Sequence, residues 1–203
     1  MASPFRLLLA GRMAPYWNLS SHELDLLESH YELMIRWNQR MSLTSIHKLE
    51  EIVERHYCES LFTAARLPEQ NARVADVGSG PGFPGIPMAI LRPDLEVVLI
   101  EANQKKAVFL REATRALRNV RVLPVRAESI RGETFDRIVA RAVRPKEVLQ
   151  LIPQMGSKVA LLIGNEDVKE LAESKIMQWD APVRLPWGDR RILLMGKWCP
   201  NSD

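Results

Sequence analysis

Cysteine is scarce in this chain. Cys58 and Cys199 stand far apart, with no C-x-x-C and no companion histidine spacing. That argues against a disulfide framework and against a metal site, and fits free thiols in a reducing cytoplasm. Long apolar runs are missing too, so nothing approaches the roughly 20 residues of a membrane span. The run Phe5-Arg6-Leu7-Leu8-Leu9-Ala10 is too short for the core of a secretory signal. Repeats, low-complexity tracts and heptads are also absent. At 203 residues and 46% hydrophobic content, the chain suits one domain with an appendage.

The net charge of +3 conceals a division. Between Lys105 and Lys146 twelve Lys/Arg face four acids, so that window carries +8 and the remainder −5. Such a window suits a polyanionic partner. Within it Arg111, Arg115 and Arg118 fall at i, i+4, i+7, opposite an apolar stripe of Phe109, Leu110, Ala113, Ala116 and Leu117. They are candidates for nucleic-acid contact; the alternative is a solvated face.

The most informative stretch runs from Val74 to Gly85. A short apolar run ends in Asp76, and Gly78, Gly80 and Gly82 then alternate with other residues. This pattern predicts a buried strand feeding a tight loop that approaches a ligand closely. Gly80, Gly82 and Gly85 also spell the G-x-G-x-x-G of dinucleotide binding, which would hold pyrophosphate at a helix N-terminus. Pro84 and Pro87 remove donors that this role needs, and Asp76 would repel a phosphate. A carboxylate instead favours the ammonium and sulfonium of S-adenosylmethionine. Glu101 ends the next strand, nineteen residues beyond Gly82, where a carboxylate can accept from ribose hydroxyls. Its competing role is at the start of the following helix, which Asn103 caps. Arg126-Ala127-Glu128 follows a third strand and is placed to flank an adenine.

Two textures organise the chain. Residues 1–68 read as a helical extension and residues 69–203 as a cofactor-binding domain packed with it as one unit. Ser20/Ser21 offers an N-cap, followed by Leu24, Leu27, His30, Tyr31 and Met34 to Trp37 at helical spacing. A second helix is predicted from Leu49 to Ala65, and Pro68 to Ala72 as a linker. Strands near 73–77, 96–101, 120–125, 135–140 and 158–163 then alternate with helices near 84–92, 103–118, 145–152 and 166–178. Val183–Trp187 and Arg191–Trp198, separated by Gly188-Asp189, read as a closing hairpin. The fold class is α/β: a Rossmann-like, mostly parallel sheet with an antiparallel C-terminal hairpin and a helical N-terminal extension.

The proline-laced string Asp76-Val77-Gly78-Ser79-Gly80-Pro81-Gly82-Phe83-Pro84-Gly85-Ile86-Pro87 resembles the bacterial RsmG (GidB) methyltransferases, which methylate N7 of a guanosine in small-subunit ribosomal RNA. Trp37-Asn38, Leu43-Thr44-Ser45, Arg55-His56 and Arg141-Ala142 match as well, so the resemblance covers about Trp37 to Ile163. It implies a class I methyltransferase fold, S-adenosyl-L-methionine as cofactor and 16S ribosomal RNA or the small subunit as partner. It further implies cofactor contacts at Gly78, Phe83, Ala127, Glu128 and Arg141, with Glu101 on the ribose. Asp76, Gly80 and Gly82 join them from the loop reading. Arg55, His56 and Arg144 join Arg111, Arg115 and Arg118 as RNA-binding candidates. A cytoplasmic monomer without metal is the accompanying expectation. The chain departs from the family at Ser42, where asparagine is usual, and at Ile163-Gly164, where a lysine precedes the glycine.

The acceptor atom follows partly from what is missing. Methylating an exocyclic amine commonly uses an Asn/Asp-Pro-Pro-aromatic turn, and that place holds Ala140-Arg141-Ala142-Val143. Methylating C5 of a pyrimidine needs a cysteine nucleophile, and neither cysteine follows a cofactor-proximal strand. Guanine N7 has no proton to lose and needs alignment rather than a base. Arg141 then has two candidate roles, orienting the methionine carboxylate or donating to guanine O6. His56 reads equally well as a satisfied core histidine, and Trp37, Trp179, Trp187 and Trp198 read as packing. Two other functions stay open: a nicotinamide-dependent oxidoreductase, and an RNA-binding module with a vestigial cofactor pocket.

Overall fold

The computed structural model describes residues 2–174, 176–188 and 190–199. Its sheet grows from five parallel strands: β1 (Arg73–Val77), β2 (Glu96–Ile100), β3 (Val120–Leu123), β4 (Arg137–Arg141) and β5 (Lys158–Gly164). β8 (Arg191–Trp198) closes it antiparallel to β5, with Gly164 opposite Arg191. The order is β3-β2-β1-β4-β5-β8-β6, where β6 is Met177–Trp179, and β7 (Val183–Arg184) pairs with the other end of β8. The expected C-terminal hairpin is therefore present, though its first strand is two residues long; Asp189 of its turn lies outside the described residues. Strands β1 and β2 have four of five residues buried, as strands covered on both faces must.

Helices cover both faces. α1 (Pro4–Met13), α2 (Ser21–Asn38), α3 (Leu49–Ile52) and α4 (Glu59–Ala64) form the N-terminal layer, α3 and α4 being joined by the π-helical turn Val53–Cys58. α5 (Gly85–Leu91) and α6 (Gln104–Ala113) lie on that side of the sheet; α7 (Pro145–Met155) and α8 (Asn165–Ala172) lie on the other. Caps follow the predicted residues. Ser20 and Glu23 complete a reciprocal capping box on α2, and Asn103 Oδ1 accepts from Lys105 and Lys106 N–H on α6. One continuous core holds Phe5, Leu27, Tyr57 and Leu61 of the helical layer together with Phe83, Ile86 and Leu99 of the sheet side.

The structure gives one apolar run its element and corrects two predicted helix ends. The run at Phe5–Ala10 belongs to α1, which Ser3 caps and which buries Phe5, Leu9 and Met13 at i, i+4, i+8. The helix predicted over 103–118 stops at Ala113. Thr114 turns back on it, Oγ1 and N–H both donating to the Leu110 carbonyl, so Arg115 and Arg118 lie beyond the helix. The helix predicted to 178 stops at Ala172. Met177–Trp179 is instead strand β6, paired with β8, and the Trp179 indole N–H donates to the Leu171 carbonyl at 2.9 Å.

Candidate functional site

Strand order reverses at β1, which sends β2 and β3 to one side and neighbours β4 and β5 on the other. Open α/β sheets bind ligands beyond the strand C-termini at such a point. A cavity of about 380 Å³ lies there, lined by Gly78 to Pro81, Phe83, Glu101, Arg141 and, from the helical layer, Thr44, Arg55 and His56. A larger hollow of about 600 Å³ between α2 and α6 contains none of the glycine loop.

The loop after β1 takes its shape from its own hydrogen bonds. Gly78 and Ser79 N–H donate to the Ile100 carbonyl at 2.9 and 3.2 Å, and Gly82 and Phe83 N–H to the Ser79 carbonyl at 2.8 and 3.1 Å. Gly80 N–H donates to Glu101 Oε2 at 2.9 Å, Gly85 N–H to Asp76 Oδ2 at 2.9 Å, and Ile86 N–H to the Gly82 carbonyl at 2.8 Å. Pro81, Pro84 and Pro87 have no N–H. Every amide donor between Gly78 and Pro87 is thus engaged within the protein. A pyrophosphate held by helix N-terminal amides would find none free, which disfavours the dinucleotide reading. The loop suits a ligand recognised by close approach. At Gly80, φ is +55° and an added Cβ would meet nothing nearer than 3.8 Å, so the backbone faces open space.

The two acids sit differently. Asp76 is fully buried beneath the loop, so the structure gives it the task of holding Gly85 rather than a place on the cavity wall. Burial pushes its carboxyl up to about 7, against the opposing Gly85 bond, and its Oδ1 has no hydrogen-bond partner among the described residues. Glu101 lines the cavity, and its oxygens accept from Gly80 N–H and, at 2.7 Å, from Asn103 N–H. It therefore ties the glycine loop to the start of α6 while facing the ligand space.

The helical layer, met by Arg141 from the end of β4, builds the other wall. His56 stacks on Phe83, ring centroids 4.6 Å apart and planes within 15°. Arg141 Nη1 donates to the Arg55 carbonyl at 2.7 Å and to His56 Nδ1 at 2.8 Å. Because arginine only donates, His56 Nδ1 accepts, and Nε2–H donates to Thr44 Oγ1 at 2.9 Å. Burial and the Arg141 charge drive its pKa down to about 2, so it is a neutral ring with both nitrogens engaged. Burial also lowers Arg141, to about 10, and its Nε is buried with no partner among the described residues. His30 on α2, read from its spacing as core, reaches the loop: Nε2–H donates to the Pro81 carbonyl at 2.9 Å and Nδ1 accepts from Tyr57 Oη at 3.0 Å.

Of the predicted site residues, the structure brings together Gly78, Gly80, Phe83, Glu101, Arg141, Arg55 and His56. Gly82, at φ +91°, shapes the loop from behind, where a Cβ would strike Ile86. Ala127 and Glu128 form a 3₁₀ turn after β3, on the same sheet edge but outside this lining. Arg144 precedes α7 on that edge and is exposed. Arg111, Arg115 and Arg118 are exposed toward the opposite end, where Asn119 ties down the turn from α5 to β2 through the Ala89 and Leu95 carbonyls. Cys58 is buried, and burial raises its thiol far above the usual range, which disqualifies it as a nucleophile. Sequence reasoning passed over Lys106 and Arg191, which also line the cavity.

Comparison with known proteins gives the family and the fold. Residues 23–180 match the family model described as rRNA small subunit methyltransferase G. A relative from Chromobacterium violaceum, named ribosomal RNA small subunit methyltransferase G, is 42% identical over 127 residues, covering 61% of this chain and 60% of its own length. One of the same name from Xylella fastidiosa is 36% identical over 196 residues, covering 86% and 92%. In fold, the chain is similar to a SAM-dependent methyltransferase from Aquifex aeolicus, with a TM-score of 0.59 at 16% identity, covering 73% of this chain and 93% of that one.

Proposed function

This chain belongs to the rRNA small subunit methyltransferase G family, and from that membership and its cavity we propose that it transfers a methyl group from S-adenosylmethionine to N7 of a guanosine in 16S ribosomal RNA. The cofactor, when bound, supplies an electrophilic methyl on a sulfonium. The observation that carries the reading is the engaged loop, which leaves carbonyls and close backbone approach in place of anion-binding amides. In our reading Gly78 and Gly80 lie against the cofactor and Glu101 accepts from its ribose. Phe83 and Arg141 border the methionine end, the guanidinium charge favouring its carboxylate. Asp76 acts from beneath, its charge favouring a cation above the loop. Ala127 and Glu128 flank the adenine.

The choice of N7 rests on protonation. Both nitrogens of His56 and of His30 are engaged, and Asp76 is sealed off, so these groups do not serve as general base for an acceptor. N7 presents a lone pair and has no proton to lose, so it would require no base in accepting the methyl that the cofactor would supply. The chain's contribution is alignment and exclusion of water. We place the RNA across Arg55, His56 and Arg144; Arg111, Arg115 and Arg118 would meet only a more distant stretch of the same RNA. Residues 1–68 and 69–203 act as one unit in this reading, in a monomer working in the cytoplasm.

Tritiated methyl incorporation into small-subunit RNA, followed by mass-spectrometric mapping of the base, tests the proposal. Label on guanosine N7 supports it. Binding of a nicotinamide dinucleotide with no affinity for S-adenosylmethionine would overturn it, and cofactor binding without transfer to RNA or assembled subunits would leave a vestigial pocket.

A further inference from the structure

Glu59 on α4 is completely buried, yet it is a carboxylate. Its two oxygens accept from one guanidinium: Oε1 from Arg191 Nε at 3.3 Å and Oε2 from Arg191 Nη2 at 3.1 Å. Arg191 opens β8, in register with Gly164 at the end of β5, and lines the cavity with Arg55 and Arg141. Ile163, the position before that glycine, is buried in the core on the α7–α8 side. A cation at this corner of the sheet therefore comes from the neighbouring strand. A guanidinium has five N–H donors, and the pair with Glu59 uses two. One carboxylate facing Arg191, Arg55 and Arg141 leaves an excess of positive charge on this wall, an arrangement that favours an anion entering the cavity.

We infer that Arg191 is an RNA-phosphate-binding residue and that Glu59 is its positioning residue, holding the guanidinium toward the backbone of the nucleotide to be methylated. The inference rests on the methyltransferase reading above and names a contact within it. Planarity matters, because a side-on carboxylate pair fixes the fork's direction in a way that an ammonium cannot reproduce.

The test is steady-state methylation and RNA binding across a salt series for the full chain, with Arg191→Gln, Arg191→Lys and Glu59→Gln. Arg191→Gln is expected to raise the KM for RNA about tenfold and to flatten the log–log salt slope by about 0.7–0.9, one phosphate contact. The kcat and cofactor affinity should stay within about twofold. Arg191→Lys should keep the slope and raise KM by roughly threefold or more, and Glu59→Gln should behave alike, since each retains the cation and loses its orientation. A merely structural ion pair would move none of these slopes. If Arg191→Gln fails to fold because Glu59 is stranded, the double variant Glu59→Gln/Arg191→Gln removes the buried charge and is read in the same way. Unchanged KM and slope in a folded variant that still methylates RNA overturn the inference and leave the functional reading intact. Wild type that binds cofactor and RNA but methylates neither RNA nor subunits overturns the functional reading instead.

Discussion

The two walls of the cavity are built from different materials. The sheet-side wall is mostly backbone, with glycines 78 and 80 held by Ile100 and Glu101 and no amide left free. The helical wall is side chain: Arg55 and His56 of that layer, joined by Arg141 from the end of β4 and Arg191 from the start of β8, and positioned by Thr44, Phe83 and Glu59. Backbone tolerates little chemical variation but sets close approach, which suits a fixed cofactor. Side chains set charge, which suits a polyanion. The difference implies that damage to one wall should separate cleanly from damage to the other in cofactor and RNA measurements.

The most severe break would be Gly80→Val. A β-branched residue at φ +55° is strained and fills the space the ligand needs. Cofactor affinity should fall by at least about a hundredfold in a folded protein, and calorimetry showing undiminished binding would remove the loop from the site. Arg141→Met attacks the junction of the walls, freeing His56 and removing the charge beside Phe83. Methyl transfer should drop by about a hundredfold in kcat/KM, measured with saturating RNA and then with saturating cofactor. A loss confined to RNA affinity would confine Arg141 to the helical wall.

Acidity sharpens the comparison, because the sheet-side wall has a titrating group beneath it. Asp76 keeps its proton in the folded apo protein up to about pH 7, well above an ordinary carboxyl. Its contribution to stability is therefore full at acid pH below the unfolded value and is lost as pH rises toward 7. A cation bound above the loop favours the carboxylate, so cofactor affinity should rise with pH by up to about tenfold per unit below 7 and then level off. Titration calorimetry across that range checks it, and Asp76→Asn should flatten the profile. Glu101→Gln should weaken the cofactor roughly tenfold while sparing RNA affinity, since an amide accepts more weakly than a carboxylate. An unchanged dissociation constant would restrict Glu101 to holding Gly80 and Asn103.

The sheet-side wall was also the legible one. Asp76, the glycines and Glu101 lie within 26 positions of one another, and their spacing follows from a strand, a turn, a helix and a strand. The helical wall joins residues far apart in the chain. Arg141 meets His56 across 85 positions and Arg191 meets Glu59 across 132. No periodicity encodes such pairs; they exist because β8 inserts beside β5 and because the π-helical turn at Val53–Cys58 lies over Phe83. Errors in element length have equally local causes. Helical spacing persists through Leu117, but Thr114 closes the helix by bonding Leu110, and Trp179 does the same service at Leu171. Asp76 was legible as an acid by the loop, whereas its depth beneath it was not, because burial depends on what α5 and Leu99 pack over it.

The arginine wall has a consequence for turnover. Methylation at N7 leaves a positive charge on the base, and that charge would form beside Arg141 in a cavity shared with Arg55 and Arg191. The wall that draws the backbone in would thus press the finished nucleotide out by charge repulsion. Methylated RNA should accordingly bind about two- to fivefold more weakly than the same RNA unmodified, a gap that narrows as salt screens the charges. Equilibrium competition between the two RNAs at low and high ionic strength reads this directly, and equal affinity at low salt would make release a matter of the cofactor side alone.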